Sequence, residues 1–181
     1  MFQAVNTEAN AVGRAGVADE QVQQYLTFVL AGEVFAMGIL AIKEIIEYAN
    51  LTEVPMMPDY VRGVINLRGA VVPVIDLSVR FGKPPSPVTK RTCIVIIEIV
   101  ASGERHVFGV VVDAVNAVLD IPAAEVEPPP AFGTSVRTDF IHGMGKVNGK
   151  FVILLDVDHV LATDEMDVLV EAQGVGASEA A

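Results

Sequence analysis

The chain has 181 residues, which bounds it to one ordinary domain or two small ones that share a core. Apolar residues make up 52% and charged ones 19%; with only 6% aromatics and no Trp the interior must be aliphatic, which favours strands and weighs against an aromatic-lined ligand cleft. A net charge of −11 weighs against nonspecific nucleic-acid binding, and no run reaches the ~18 uninterrupted apolar residues of a membrane span.

Residues 1–22 are rich in Ala, Asn, Gln and Val without a period, and a flexible arm is expected there. They lack a basic start followed by an apolar block, so no secretory signal is read. Tyr25 to Leu30 and Glu33 to Ile39 are strand-like runs that meet at Ala31-Gly32 and read as a hairpin. Ile42, Ile45, Ile46 and Ala49 then fall at i, i+3, i+4 and i+7 with Lys43, Glu44 and Glu47 opposite, which predicts a short amphipathic helix, with strand as the rival. Leu51 to Val54 is a brief strand ended by Pro55 and Pro58. Val64 to Leu67 pairs with Val71 to Ile75 across Arg68-Gly69, and Pro73, which has no amide hydrogen, predicts an edge, a rim or an outward-facing position. Asp76 reads as the N-cap of a helix over 77–81 that Gly82 ends, and 82–88 is the junction between halves. Thr92 to Val100 and Arg105 to Val112 form another hairpin, 115–121 continues as strand or helix, and Pro122 to Pro130 is an extended surface loop. Phe140 to Val147 and Lys150 to Leu155 pair across Asn148-Gly149, the strongest local hairpin signal in the chain. A helix follows from about Asp156, and then an acidic tail.

The second half writes the first again. DYVRGVINLRGAVVPVIDLSVRF, from Asp59 to Phe81, recurs eighty residues on as DFIHGMGKVNGKFVILLDVDHVL, from Asp139 to Leu161, sharing Gly63/Gly143, Gly69/Gly149, Val72/Val152 and Asp76/Asp156. Phe35 to Ile46 echoes more weakly in Phe108 to Leu119. Two copies of a unit of roughly 70 residues imply two similar small barrels, each too small to be secure alone, with a continuous core between them. The expected organisation is an arm at 1–22, a mainly β domain at 23–165 with subdomains 23–85 and 86–165, and a tail at 166–181.

Catalytic constellations are thin. His106, His142 and His159 are placed in a strand, a turn and a helix, away from one another, and there is no CxxC or HExxH. Cys93 is the only cysteine; it cannot form an internal disulfide, which fits a reducing, cytoplasmic setting, and its apolar run marks it as an inert buried thiol. No P-loop, GxGxxG or GxSxG is present, so no cofactor is expected. Asp76 and Asp156 hold one slot in the two repeats and read as caps, not as a catalytic pair.

Positive charge is concentrated instead. Arg62, Arg68, Arg80, Lys83, Lys90 and Arg91 face one acid, Asp76, within that stretch. This is either a solvated face with a basic linker or a protein-contact patch on an otherwise acidic surface. The repeat supplies an internal control. Asn148 stands where the first copy has Arg68, and Asn-Gly suits a tight turn better than Arg-Gly, so the hairpin does not require the arginine. Lys43-Glu44 likewise gives way to Asn116-Ala117. Positions where one copy departs from the scaffold are candidates for function; shared Gly63, Gly69 and Asp76 are candidates for structure.

In combination and order, ILAIKEIIE, VRGVINLRGAVVPVIDLSVRFG, FGVVVDAVNAVL and FIHGMGKVNGKFVILLD resemble the CheW family of bacterial chemotaxis coupling proteins, from about Gln24 to Met166. The resemblance implies two SH3-like five-stranded β-barrels on a shared core, with short helices. It implies an adaptor without enzymatic activity, cofactor or metal, joining the cytoplasmic tip of methyl-accepting chemoreceptors to the regulatory domain of the histidine kinase CheA. Such a protein is cytoplasmic, neither binds nucleic acid nor inserts into the membrane, and reaches receptor arrays through its partners. By position the resemblance implies receptor contacts at Ile42, Glu44 and Arg68, with Asn66 beside them, and a kinase-facing surface on barrel ends that includes Gly63. The compact Gly145-Lys146-Val147 arm and the stiff 128–130 run depart from the family pattern and bear on the second-barrel contact. The competing classes are a small β-barrel enzyme or ligand carrier, which would need two of His106, His142, His159 and Cys93 to meet, and a self-associating structural module.

Overall fold

A computed structural model describes residues 21–49, 51–101, 103–129 and 138–161. The expected arm up to residue 20, Pro130 and the acidic tail lie outside the described residues.

Three hairpins stand where turn chemistry puts them. β1 (Val22–Leu30) pairs with β2 (Glu33–Gly38), β4 (Val61–Leu67) with β5 (Ala70–Asp76), and β10 (Ile141–Val147) with β11 (Lys150–Leu155). At each tip two residues take positive φ, 52° at Ala31 and 53° at Arg68 and Asn148, followed by glycine at 77° to 87°. Those angles give the two-residue turn whose twist matches the strands it joins. A fourth hairpin joins β6 (Cys93–Ala101) to β7 (Glu104–Val112). Two short helices, α1 (Leu77–Arg80) and α2 (Val157–Leu161), follow β5 and β11.

The stretch after β2 is not a helix. A 3-10 turn at Ile39–Ala41 leads into β3 (Ile42–Glu47), which pairs with β6. Its burial alternates, with Ile42, Glu44 and Ile46 half-buried and Lys43, Ile45 and Glu47 exposed. Pairing with β6 overrides the helical spacing, and three isoleucines in a short run favour the strand anyway. β8 (Ala114–Pro122) is likewise a strand, and the Pro-rich segment after it carries a 3-10 turn and a two-residue strand, β9 (Val126–Glu127), so it is not wholly loop. His142 belongs to β10 and not to a turn.

The strands form two sheets, β8-β1-β2-β11-β10-β9 and β3-β6-β7-β5-β4. These sheets do not follow the repeat halves on either side of residue 85. Each repeat's leading hairpin, β1-β2 or β6-β7, is built into the other repeat's sheet. β3-β6-β7-β5 therefore matches β8-β1-β2-β11 strand for strand, including one parallel join in each, β7 with β5 and β2 with β11.

The exchange explains the long apolar runs, because the leading hairpins bury both faces. Ile94 and Ile96 fill one barrel with Ile65, Val72, Val74 and Val111; Tyr25 and Ala36 fill the other with Ile121, Val152 and Leu154. The alternate residues of the same strands, Leu26, Phe28, Phe35 and Met37 against Val95, Ile97, Phe108 and Val110, form the core shared between the barrels. Pro73 is buried in β5, which is not an edge strand but lies between β7 and β4. Its partner Val64 directs both backbone groups to Thr52 at 2.8 and 2.9 Å, and pairing with β7 begins only at Val74. No donor is needed at position 73.

Candidate functional site

β3 and β4 are the outer strands of the five-stranded sheet, and its curl brings them together at the β4-β5 tip. Arg68 Nη1 lies 2.8 Å from Glu44 Oε2, an ion pair across the seam. The Arg68 side chain is 74% exposed and that of Glu44 27%, so the guanidinium keeps donors facing water. Asn66 is exposed, and its Oδ1 accepts from the Gly69 backbone N–H at 3.0 Å, which fixes the turn. Ile42 packs against the edge of the shared core. The structure thus joins Glu44 to Arg68, sets Asn66 to brace the turn beneath the arginine, and leaves Ile42 half-buried along the same strand as Glu44. Exposed Ile45, next to Glu44, and Val71, opposite Asn66, add apolar surface that sequence reading did not single out. The signal for Val71 was its place two residues after the polar Arg68-Gly69 tip.

Gly63 is buried and holds φ 152° at a bulge of β4. A Cβ there would stand 2.5 Å from the Thr52 carbonyl oxygen and 3.2 Å from Leu51 Cβ. The glycine therefore lets the segment after β3 lie flat across β4. Gly143 does the same in the second repeat, where a Cβ would stand 2.7 Å from Val126 Cγ1 and 2.9 Å from the Glu127 oxygen.

The basic stretch divides into separate roles. Arg62 Nε donates to buried Asp76 at 2.9 Å, Nη1 donates to the Tyr48 hydroxyl at 3.1 Å, and Nη2 donates to the Ser86 carbonyl. Asp76 also accepts from the Ser78 and Ser86 backbone N–H groups, each at 3.0 Å, and so caps α1 as its sequence slot implies. Arg80 is stacked between Tyr60, 4.9 Å away, and Phe140, 5.0 Å away, which are matching residues of the two repeats, and it donates to the Val160 carbonyl. Arg62 and Arg80 are structural, which leaves Arg68 as the arginine of this stretch aimed outward from a hairpin tip.

In the second repeat Asp156 caps α2 through the His159 N–H at 3.1 Å and binds the His159 ring at 2.6 Å. His106 lies in the other sheet; His159 bonds to Asp156 directly, and His142 acts on the same carboxyl only through its charge. His142 and Asp156 line an open groove of about 520 Å³ together with Tyr25, Ile39, Leu40 and Asp158, among others. Cys93 is half-buried, not buried; loss of hydration and the charge of Glu47 push its thiol up, away from the reactive thiolate. Among the described residues no group of three or more His, Cys, Asp and Glu could hold a metal ion, and no helix is long and apolar enough to cross a membrane.

The CheW-like domain model matches residues 24–165. The chain is 35% identical over 144 residues to the chemotaxis protein CheW of Klebsiella aerogenes, covering 80% of this chain and 84% of that one. It is 34% identical over 140 residues to CheW of Bacillus subtilis, covering 77% and 86%. The crystal structure of the scaffolding protein TtCheW from Thermoanaerobacter tengcongensis is similar with a TM-score of 0.70 at 32% identity, covering 80% of this chain and 91% of that one.

Proposed function

Because the chain belongs to the CheW family of chemotaxis scaffold proteins, we propose that it couples methyl-accepting chemoreceptors to the histidine kinase CheA by binding both, with no reaction of its own. The observation that carries the receptor half is the Glu44–Arg68 pair, where an exposed guanidinium occupies a turn position that the second repeat gives to asparagine. A receptor helix would lay an apolar stripe against Ile42 and Ile45, with Arg68 meeting a carboxylate or carbonyl at the rim and Asn66 keeping the tip in shape. The kinase regulatory domain would take the barrel end that Gly63 organises. Coupling is then a difference in contact free energy passed from receptor to kinase. The protein would work in the cytoplasm and reach membrane-bound arrays through these partners.

Reconstitution with CheA and a receptor cytoplasmic fragment tests this. The chain should raise kinase activity only when receptor is present, and Arg68→Ala and Glu44→Ala should each lower that activation. Equal activation by the wild type with and without receptor, or full activation by both variants, would reject the assignment.

A further inference from the structure

Four non-glycine residues have positive φ among those described, and three of them, Ala31, Arg68 and Asn148, open two-residue hairpins with glycine next. The fourth is Met56, at φ 63°, which sits in no hairpin and is followed by Met57. A long side chain in the left-handed region is costly where asparagine or glycine would be at ease. The residue is also 100% exposed. It belongs to five consecutive apolar residues, 54–58, of which none is buried.

The turn is nonetheless well held. Met57 packs against the shared core, the Pro58 carbonyl accepts from the Val61 N–H at 2.9 Å, and Pro55 and Pro58 limit the backbone. Gly63 lets the preceding residues lie on β4 through the two Thr52–Val64 bonds. Met57 is thus turned inward and Met56 is presented outward in one conformation, so little order remains to be lost on contact. Strain in a fixed, exposed apolar residue points to contact as its role. Exposed Glu53 and Asp59 flank the turn. The surface that complements it is an apolar pocket with lysine or arginine at its rim.

Position decides which partner this serves. The turn precedes β4 and Arg68 follows it; seven residues of strand put the two about 20 Å apart, at opposite ends of one barrel. A partner on Arg68 leaves the turn accessible. We infer that Met56 is the anchor by which the chain docks into a basic-rimmed apolar pocket of the kinase regulatory domain, and that Gly63 acts on this contact by positioning the turn. The inference rests on the adaptor reading above.

The test measures affinity of the wild type, Met56→Asn and Met56→Leu for two probes, a CheA regulatory domain and a receptor cytoplasmic-tip fragment. Asparagine accepts the backbone angle, so Met56→Asn should melt no lower than the wild type yet lose about tenfold in affinity for the kinase domain. Its receptor affinity should stay within about twofold, and Met56→Leu should keep kinase binding. Wild-type kinase affinity in Met56→Asn overturns the inference while leaving the adaptor reading intact. So does a change confined to self-association in sedimentation, which would make the turn a contact between copies. A wild-type chain that binds no kinase domain overturns both.

Discussion

Arg62 Nε meets the buried carboxylate of Asp76 at 2.9 Å, and the slots that match this pair in the second repeat hold His142 and Asp156. One scaffold position is thus served by a permanent cation in the first repeat and by titratable ones in the second, where His159 makes the close contact.

Asp76→Ala should be severely destabilising. It strips the half-buried Arg62 guanidinium of its buried counter-charge and removes the acceptor for the Ser78 and Ser86 backbone N–H groups. Breaking a buried pair from one side costs about 3–5 kcal/mol. Urea unfolding should show the loss; a change below about 1 kcal/mol would mean that Arg62 re-pairs with solvent.

The Asp156–His159 pair should appear as a pH window. The hydrogen bond to Asp156, then its charge, raises the exposed His159 above its ordinary 6.5, with Asp158 and Asp139 adding to the field. Partial burial works to raise Asp156, but the hydrogen bonds from His159 outweigh it and, with the charge of His142, hold the carboxyl below its ordinary 3.8. The stabilisation from His159 is fully present below 6.5 and disappears as pH rises through its folded-state value; that from Asp156 is present above 3.8 and disappears as pH falls through its lowered value. Asp156→Asn can still cap α2 but carries no charge, so the His159 ring should titrate closer to 6.5 in an NMR pH series. Identical midpoints in the two proteins would rule the pairing out.

Gly63→Ala and Gly69→Ala separate steric from conformational demand. Both sites have positive φ, but a Cβ meets the Thr52 oxygen at 2.5 Å in the first and nothing within 4 Å in the second. The Gly63 variant should lose the more, with roughly 1–3 kcal/mol for strain at each site and the displacement of backbone added only at 63. Equal melting temperatures would show that the segment after β3 moves aside freely.

Arg68→Asn should leave stability unchanged or raise it by a few tenths of a kcal/mol, since asparagine prefers this turn position and an ion pair this exposed contributes at most about 1 kcal/mol. A double-mutant cycle with Glu44→Ala measures the pair directly. A coupling well above about 1 kcal/mol would recast Arg68 as a seam-closing residue and weaken its claim as a contact.

Local chemistry was legible and pairing was not. Ala31-Gly32, Arg68-Gly69 and Asn148-Gly149 announced their turns because glycine as the second residue suits the angles a two-residue hairpin demands. Asp76 announced its cap for a similar reason. Ile42 to Ala49 misled because apolar residues at i, i+3 and i+4 also fit a short strand with a bulge, which β3 has between Ile42 and Glu44. The repeat identified which segments are alike, yet nothing in Tyr25 or Phe35 says that their strands pair with β8 and β11 instead of with their own half. At the site, the Arg68–Asn148 difference drew the eye to the arginine, whereas its contact with Glu44 needed the curl of the sheet. Met56 drew no notice in the sequence, since neither its exposure nor its backbone angle can be read from a run of Pro and Met.

The exchanged hairpins also set an order of assembly. The five-stranded sheet draws only on residues 42–112, so it can close as soon as that stretch has been synthesised. The six-stranded sheet joins Val22 to Pro122 and Phe35 to Ile153, so it waits for nearly the whole described chain. Until then β1-β2, the earliest hairpin made, can cover one aliphatic face against β6-β7 but leaves the other open. Pairings this distant in sequence slow folding and lengthen the exposure of that face, which makes the N-terminal hairpin the segment most open to aggregation on a nascent chain.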